Sequence, residues 1–222
     1  MLKYQNIYSL FRDQCAKYRE SNVFYTRDGD SWKAETWDWF EEQVHDFACA
    51  LLAKGLTQGA SVTILAGNVP EWTIVDIATI AAGGVGVGIY PTSSPEQCEF
   101  IINHSDAEFL FVDTVRQFEK VADSKGVFPK LKEIITLESI DETSVELVAT
   151  DSFLTAGVKE VPVTSFKDFI AFGKSQSTVF RSKIEEIAFG LKPDDTAIMV
   201  YTSGTTGNPK GVVRSFYRTA VC

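Results

Sequence analysis

One stretch near the end of the 222-residue chain gathers the groups that grip phosphate: Tyr201-Thr202-Ser203-Gly204-Thr205-Thr206-Gly207-Asn208-Pro209-Lys210-Gly211. Glycines let backbone N–H groups crowd together and curl into an anion-binding concavity. The hydroxyls of Thr202, Ser203, Thr205 and Thr206 can donate to phosphate oxygens, and Lys210 brings a compact positive charge. A hydrogen bond to a charged group contributes about 1.5–3 kcal/mol, so several such donors together suffice to hold a polyphosphate. A flexible surface loop would explain the small residues. It would not explain an apolar run, Ala197-Ile198-Met199-Val200-Tyr201, ending abruptly in hydroxyls and glycines. Two other phosphate motifs are excluded. Walker A places lysine directly after glycine and before Ser or Thr, whereas Lys210 follows Pro209 and precedes Gly211. The dinucleotide fingerprint fails in Gly83-Gly84-Val85-Gly86-Val87-Gly88, where the third glycine position falls on Ile89 or Pro91.

Other chemistry-bearing residues form no comparable cluster. Cys15, Cys49, Cys98 and Cys222 stand singly, with no Cys-x-x-Cys, so they read as reduced, intracellular thiols rather than a zinc site or a disulfide framework. Cys98 reads as packing, not as a nucleophile. His45 and His104 lack a second ligand at metal spacing and read as structural, His104 as a cation at a helix end. Glu41-Glu42, Glu185-Glu186 and Asp194-Asp195 are sequence neighbours, which do not face each other on a helix; they are expected to be solvated. The turn Asn68-Val69-Pro70-Glu71-Trp72 follows a strand, on the edge where open α/β sheets collect ligands. Asn68 acting as a helix cap is sufficient reason for it.

These residues must be held by regular elements, and the hydrophobic periodicity supplies them. Helical spacing runs over 5–20, over 36–54 with Thr36 as cap and Gly55 as stop, over 70–82 from Pro70, over 94–105, over 115–122, from Phe166 with Gly173 as its stop, and over 177–189. Apolar runs over 61–66, 85–89, 108–112, 133–137 and 197–201 read as strands, and Asp28-Gly29 marks a hairpin between 23–26 and 31–34. The glycines of 85–89 indicate a close backbone approach. From Glu138 to Thr164 the pattern fades into an irregular excursion. The alternation predicts an α/β fold: a largely parallel sheet covered by helices on both faces.

Composition narrows the functional class. Net charge is -9, with 45% hydrophobic and 23% charged residues. That is ordinary globular composition and a poor basis for nucleic-acid binding, so phosphate must be held by local donors. The first residues lack the apolar core of a signal peptide, and the longest apolar tract, 77–90, is too short to span a bilayer. The expected location is intracellular, either cytoplasmic or peripheral on the endoplasmic reticulum or another membrane.

The string from Thr202 to Gly211 resembles the phosphate loop of the adenylate-forming superfamily, which includes acyl-CoA synthetases, 4-coumarate ligases, luciferases and peptide-synthetase adenylation domains. A second block, Gly86-Val87-Gly88-Ile89-Tyr90-Pro91-Thr92-Ser93-Ser94-Pro95-Glu96-Gln97-Cys98, together with 68–72, is most similar to long-chain fatty acyl-CoA synthetases of the bubblegum type. The resemblance implies a ligase that joins a long-chain fatty acid to AMP at the expense of ATP and then passes the acyl group to coenzyme A. It implies that Thr202, Ser203, Gly204, Thr205, Thr206, Gly207 and Lys210 bind the nucleotide phosphates, with Thr202 near Mg²⁺. It further implies that residues 1–192 are the N-terminal α/β part of the AMP-binding domain and 193–222 its strand and phosphate loop. In that family the metal-binding glutamate, ribose-binding aspartate and adenylating lysine follow the loop. This chain is therefore expected to be a truncated N-terminal part with no catalytic residue of its own, inactive in isolation. Phe216 stands where the family has His, and the reading is expected to leave the family's frame there. The alternatives are a non-catalytic truncated paralogue, binding nucleotide weakly or acting as an interaction module, and a medium-chain or aryl-acid ligase.

Overall fold

Runs such as Ser61-Val62-Thr63-Ile64-Leu65 are apolar at nearly every position, which suits a strand buried on both faces. In the computed structural model, which describes residues 4–122, 124, 127–139, 161–202 and 209–216, such runs form the interior of one sheet. The chain order is α1 (Ile7–Tyr18), a hairpin of β1 (Asn22–Asp28) and β2 (Ser31–Thr36), α2 (Trp37–Ala53), β3 (Ser61–Leu65), α3 (Pro70–Ala81), β4 (Val85–Ile89), α4 (Pro95–His104), β5 (Ala107–Val112) and α5 (Val115–Ala122). There follow β6 (Glu133–Thr136), β7 (Val163–Ser165), α6 (Phe166–Ser175), α7 (Ser177–Gly190), β8 (Thr196–Thr202) and β9 (Lys210–Ser215). The main sheet has seven strands in the order β7-β6-β5-β3-β4-β8-β9. Pairing is parallel from β7 to β8, and only the β8–β9 pair is antiparallel.

Period-two alternation along each strand assigns side chains to two cores. Phe109 and Phe111 of β5 point into one, with Phe47, Ile74, Ile80 and Phe169 from α2, α3 and α6. Leu110 and Val112 point into the other, with Cys98, Ile102 and Phe118 from α4 and α5. The predicted parallel sheet with helices on both faces is therefore observed. Phe216, the residue standing where the resembling family has His, is fully buried in the first core.

Several expectations are corrected. Val163–Ser165 is not part of an irregular excursion but the edge strand β7, paired with β6. Gly173 does not end a helix. It lies inside α6, where a Cβ would collide with the main-chain carbonyl of Asp46 in α2, so its missing side chain lets two helix backbones touch. Asn68 does not cap α3; Val69 holds the cap position with no side-chain hydrogen bond. Pro70, lacking an N–H, leaves one donor fewer to satisfy there.

Nor are Glu41 and Glu185 solvated bystanders. Arg12 pairs with Glu41, and the Tyr8 hydroxyl donates to Glu185 Oε1 at 2.9 Å. Arg181 approaches His45 Nδ1 at 3.2 Å. His45 Nε2 lies 2.9 Å from the Tyr8 oxygen and 3.3 Å from Arg12 Nη1, so guanidinium donors face both ring nitrogens. This polar knot ties α1, α2 and α7 together. Burial first, then Arg181 and Arg12, lowers the His45 pKa to about 4, so the ring is neutral.

Candidate functional site

Parallel strands all end on one edge, and loops leaving that edge share a neighbourhood. β3 ends toward Asn68, β4 toward Tyr90 and Pro91, and β5 toward Asp113. Gly88 pairs with Val200, so β8 delivers Thr202 to the same edge, beside Tyr90. β9 returns antiparallel, with Lys210 directly opposite Thr202. Cα atoms of opposed antiparallel residues sit roughly 4.5–5.5 Å apart. A hydroxyl and an ammonium, both exposed, thus form the two rims of the predicted phosphate loop. Ser203, Gly204, Thr205, Thr206 and Gly207 lie outside the described residues. Of the seven residues predicted to bind nucleotide, the structure brings together Thr202 and Lys210.

The strand that carries Thr202 is held from below. Tyr201 is buried, and its hydroxyl lies 2.7 Å from His104 Nδ1 at the end of α4. Its ring lies against Gly211 of β9, where a Cβ would stand 3.2 Å from Cζ, so glycine opposite tyrosine lets the ring lie across the ladder. Burial, then the nearby Asp106, raises the Tyr201 pKa, and the group stays a hydroxyl. His104 was expected only to complement a helix end; the structure makes it a brace for the strand that feeds the loop. Nothing in the sequence links two residues so far apart. A short motif in α4 helps to seat it: Ser94 accepts from the Gln97 N–H and Gln97 Oε1 accepts from the Ser94 N–H, a capping box that fixes the start of that helix.

Polar side chains also bind the neighbouring strand ends to one another. The Gly67 N–H donates to Asp113 Oδ2 at 2.6 Å, joining β3 to β5. Gln117 Nε2 and Lys120 Nζ of α5 both donate to the Pro91 carbonyl, at 3.3 and 2.5 Å, joining α5 to the loop after β4. Cys98 is buried in the second core with its pKa raised to about 11, chiefly by burial, the environment of a packing thiol. Among the described residues no group of three or more His, Cys, Asp or Glu side chains is placed to hold a metal ion, and no helix is long and apolar enough to cross a membrane.

The fold agrees with what comparison shows. The profile of the AMP-binding enzyme family matches residues 11–222. The chain is 31% identical over 209 residues to the long-chain-fatty-acid–CoA ligase ACSBG2 of Xenopus laevis and 31% identical over 210 residues to ACSBG1 of Homo sapiens. Each match covers 94% of this chain and 26% of the relative, so the chain spans about a quarter of their length. Among solved structures, the anthranilate CoA ligase AuaEII in complex with anthranoyl-AMP superposes with a TM-score of 0.73 at 20% identity, over 97% of this chain and 36% of that one. The adenylation domain of a carboxylate reductase from Mycobacterium chelonae gives 0.74 at 20% identity, over 99% and 36%. At that identity the two structures speak for the fold.

Proposed function

The chain belongs to the AMP-binding enzyme family, and we propose that it is the amino-terminal part of an ATP-dependent long-chain fatty acid–CoA ligase, with residues 1–192 as the α/β scaffold and 193–222 as the strand and phosphate-binding segment. The observation that carries this reading is the pairing of Thr202 with Lys210 at the carboxyl edge of the sheet. In the proposed reaction a fatty acid carboxylate attacks the α-phosphorus of ATP, pyrophosphate leaves, and the coenzyme A thiol then displaces AMP. The main demand on the protein is to neutralise charge on the phosphates. Lys210 supplies an ammonium from one rim, Thr202 a hydroxyl from the other, and Ser203, Gly204, Thr205, Thr206 and Gly207 the donors between them.

Mg²⁺ characteristically keeps several waters and takes one or two protein oxygens plus substrate phosphates. An exposed Thr202 hydroxyl fits that role without a carboxylate cage, and the ion would spread the negative charge of the polyphosphate. The long-chain substrate is inferred from the names of the relatives. The chain spans about a quarter of those relatives, and what is proposed for it alone is nucleotide binding without turnover.

Two assays separate binding from catalysis. Calorimetric titration of the purified chain with Mg-ATP is expected to show binding that Lys210→Met weakens at least fivefold; equal affinity in the variant would remove the phosphate role. Palmitate-dependent ATP–pyrophosphate exchange is expected to be absent, and measurable turnover would show that the chain is catalytic by itself. Binding without exchange would also suit a non-catalytic nucleotide-binding module.

A further inference from the structure

Beside Thr202, on the face of the sheet covered by α3, a cavity of about 240 Å³ opens between that helix and strands β4 and β8. Trp72, Ile198 and Val200 supply apolar walls, and Tyr90 stands at the edge. Two strand glycines make the room. A Cβ on Gly88 would stand 3.5 Å from the Trp72 ring, and a Cβ on Gly86 would collide with Oδ1 of Asp76. The residue is half-buried overall, with its carboxyl drawn in over Gly86 of β4. The close approach that the glycines of this strand predicted is therefore made by a carboxyl group.

That carboxyl makes no hydrogen bond or ion pair among the described residues. Beneath it, β4 and β8 are paired with each other in the parallel ladder. Burial pushes its pKa up from 3.8 to about 7. No charged group takes part in that shift: not Glu71 on its own helix, not Lys183 or Glu186 on α7, not Lys210 or Arg214 on β9. A desolvated carboxylate without a donor is costly, and a ligand that brings a cationic donor relieves the cost. One that brings a second carboxylate adds to it.

We propose that this cavity binds a primary alkylammonium, its carbon chain against Trp72, Ile198 and Val200 and its ammonium on the Asp76 carboxylate. The residues named for this site are none of those proposed to hold nucleotide phosphates, and the proposal stands whether or not Thr202 and Lys210 hold ATP. At roughly 30 Å³ per heavy atom, the share of a water molecule in the liquid, the cavity accommodates a ligand of about eight heavy atoms; n-hexylammonium fits.

The test is a titration of the full chain with n-hexylammonium, n-hexanol and n-hexanoate. The readout is the indole N–H resonance of Trp72, identified by its loss in Trp72→Phe. The ammonium is expected to give a saturable shift, with hexanol and hexanoate at least tenfold weaker. Its affinity is expected to rise at least fivefold between pH 5.5 and 8 as Asp76 ionises, and Asp76→Asn is expected to bring it down to that of hexanol. If the Asn variant does not fold, the pH profile of the unaltered chain decides. Absence of a saturable shift, equal binding of hexanol, or pH-independent affinity would overturn the proposal.

Discussion

β5 and β9 are both six-residue strands that carry adjacent apolar side chains, yet these meet opposite fates. In β5, Phe109, Leu110, Phe111 and Val112 are all fully buried, because α2 and α6 press on one face and α4 and α5 on the other. In β9, Val212 and Val213 point to opposite faces and remain 48% and 55% exposed. The alternation that sorts β5 between two cores sorts β9 between two open surfaces. Strand formation needs only pairing, and β8 supplies it; stabilisation by burial needs helices, and the β8–β9 end has few. The well-buried part of the sheet thus lies away from Thr202 and Lys210, which stand where the described residues are more exposed.

The contrast can be broken most sharply where packing is tightest. Gly173→Val should force α2 and α6 apart and lower unfolding free energy by about 5 kcal/mol, the exceptional size expected when a side chain is driven into a packed main chain; retention of the cooperatively unfolding chain would mean that the helices can yield. Phe169→Ala, deep in the first core, should cost about 3–5 kcal/mol in urea unfolding.

Titration probes the two regions with opposite signs. Asp76, near β8, has its pKa raised from 3.8 to about 7, so its contribution to stability is fully present below about pH 4 and is lost as pH rises through 7. His45, in the helical layer, is lowered from 6.5 to about 4, so its contribution is present above pH 6.5 and is lost as pH falls through 4. The two slopes oppose each other. Asp76→Asn should make stability climb with pH between 4 and 7, and His45→Gln should make it fall. Each change should be on the order of 1 kcal/mol, discounted for the partial exposure of Asp76, and read as urea midpoints across that range.

Smaller effects belong to the loop end. Tyr201→Phe removes the hydroxyl next to His104 and should cost about 0.5–1.5 kcal/mol. Val213→Ala should cost less than about 0.5 kcal/mol; a loss like that of Phe169→Ala would show that the bare face is covered in solution.

Much of this was legible in the sequence because it is local. Thr36 accepts from the Trp39 N–H as its position before an apolar stripe predicts, and Ser94-Pro95-Glu96-Gln97 announces a helix start that the structure reproduces. What escaped depends on partners distant along the chain. Val163–Ser165 is too short to show a period and becomes a strand only by lying beside β6. Gly173 looks like a stop until Asp46 is placed against it. Glu185 is one of two adjacent acids until Tyr8 and His45 reach it. In the candidate site, composition pointed to Thr202 and Lys210, whereas their direct opposition follows from a strand, β9, that the pattern did not reveal.

The register that sets Lys210 against Thr202 makes the sheet a ruler for whatever is spliced between them. Residues added or removed within 203–209 change the span of the arch and leave its two feet where they stand. A single residue inserted after Lys210 would be read in the pleat instead: to keep the ladder, every following side chain of β9 would have to turn over, and Phe216 would be pulled from the core that anchors the strand's far end. Natural variation in length should therefore collect inside the arch and be scarce beyond it.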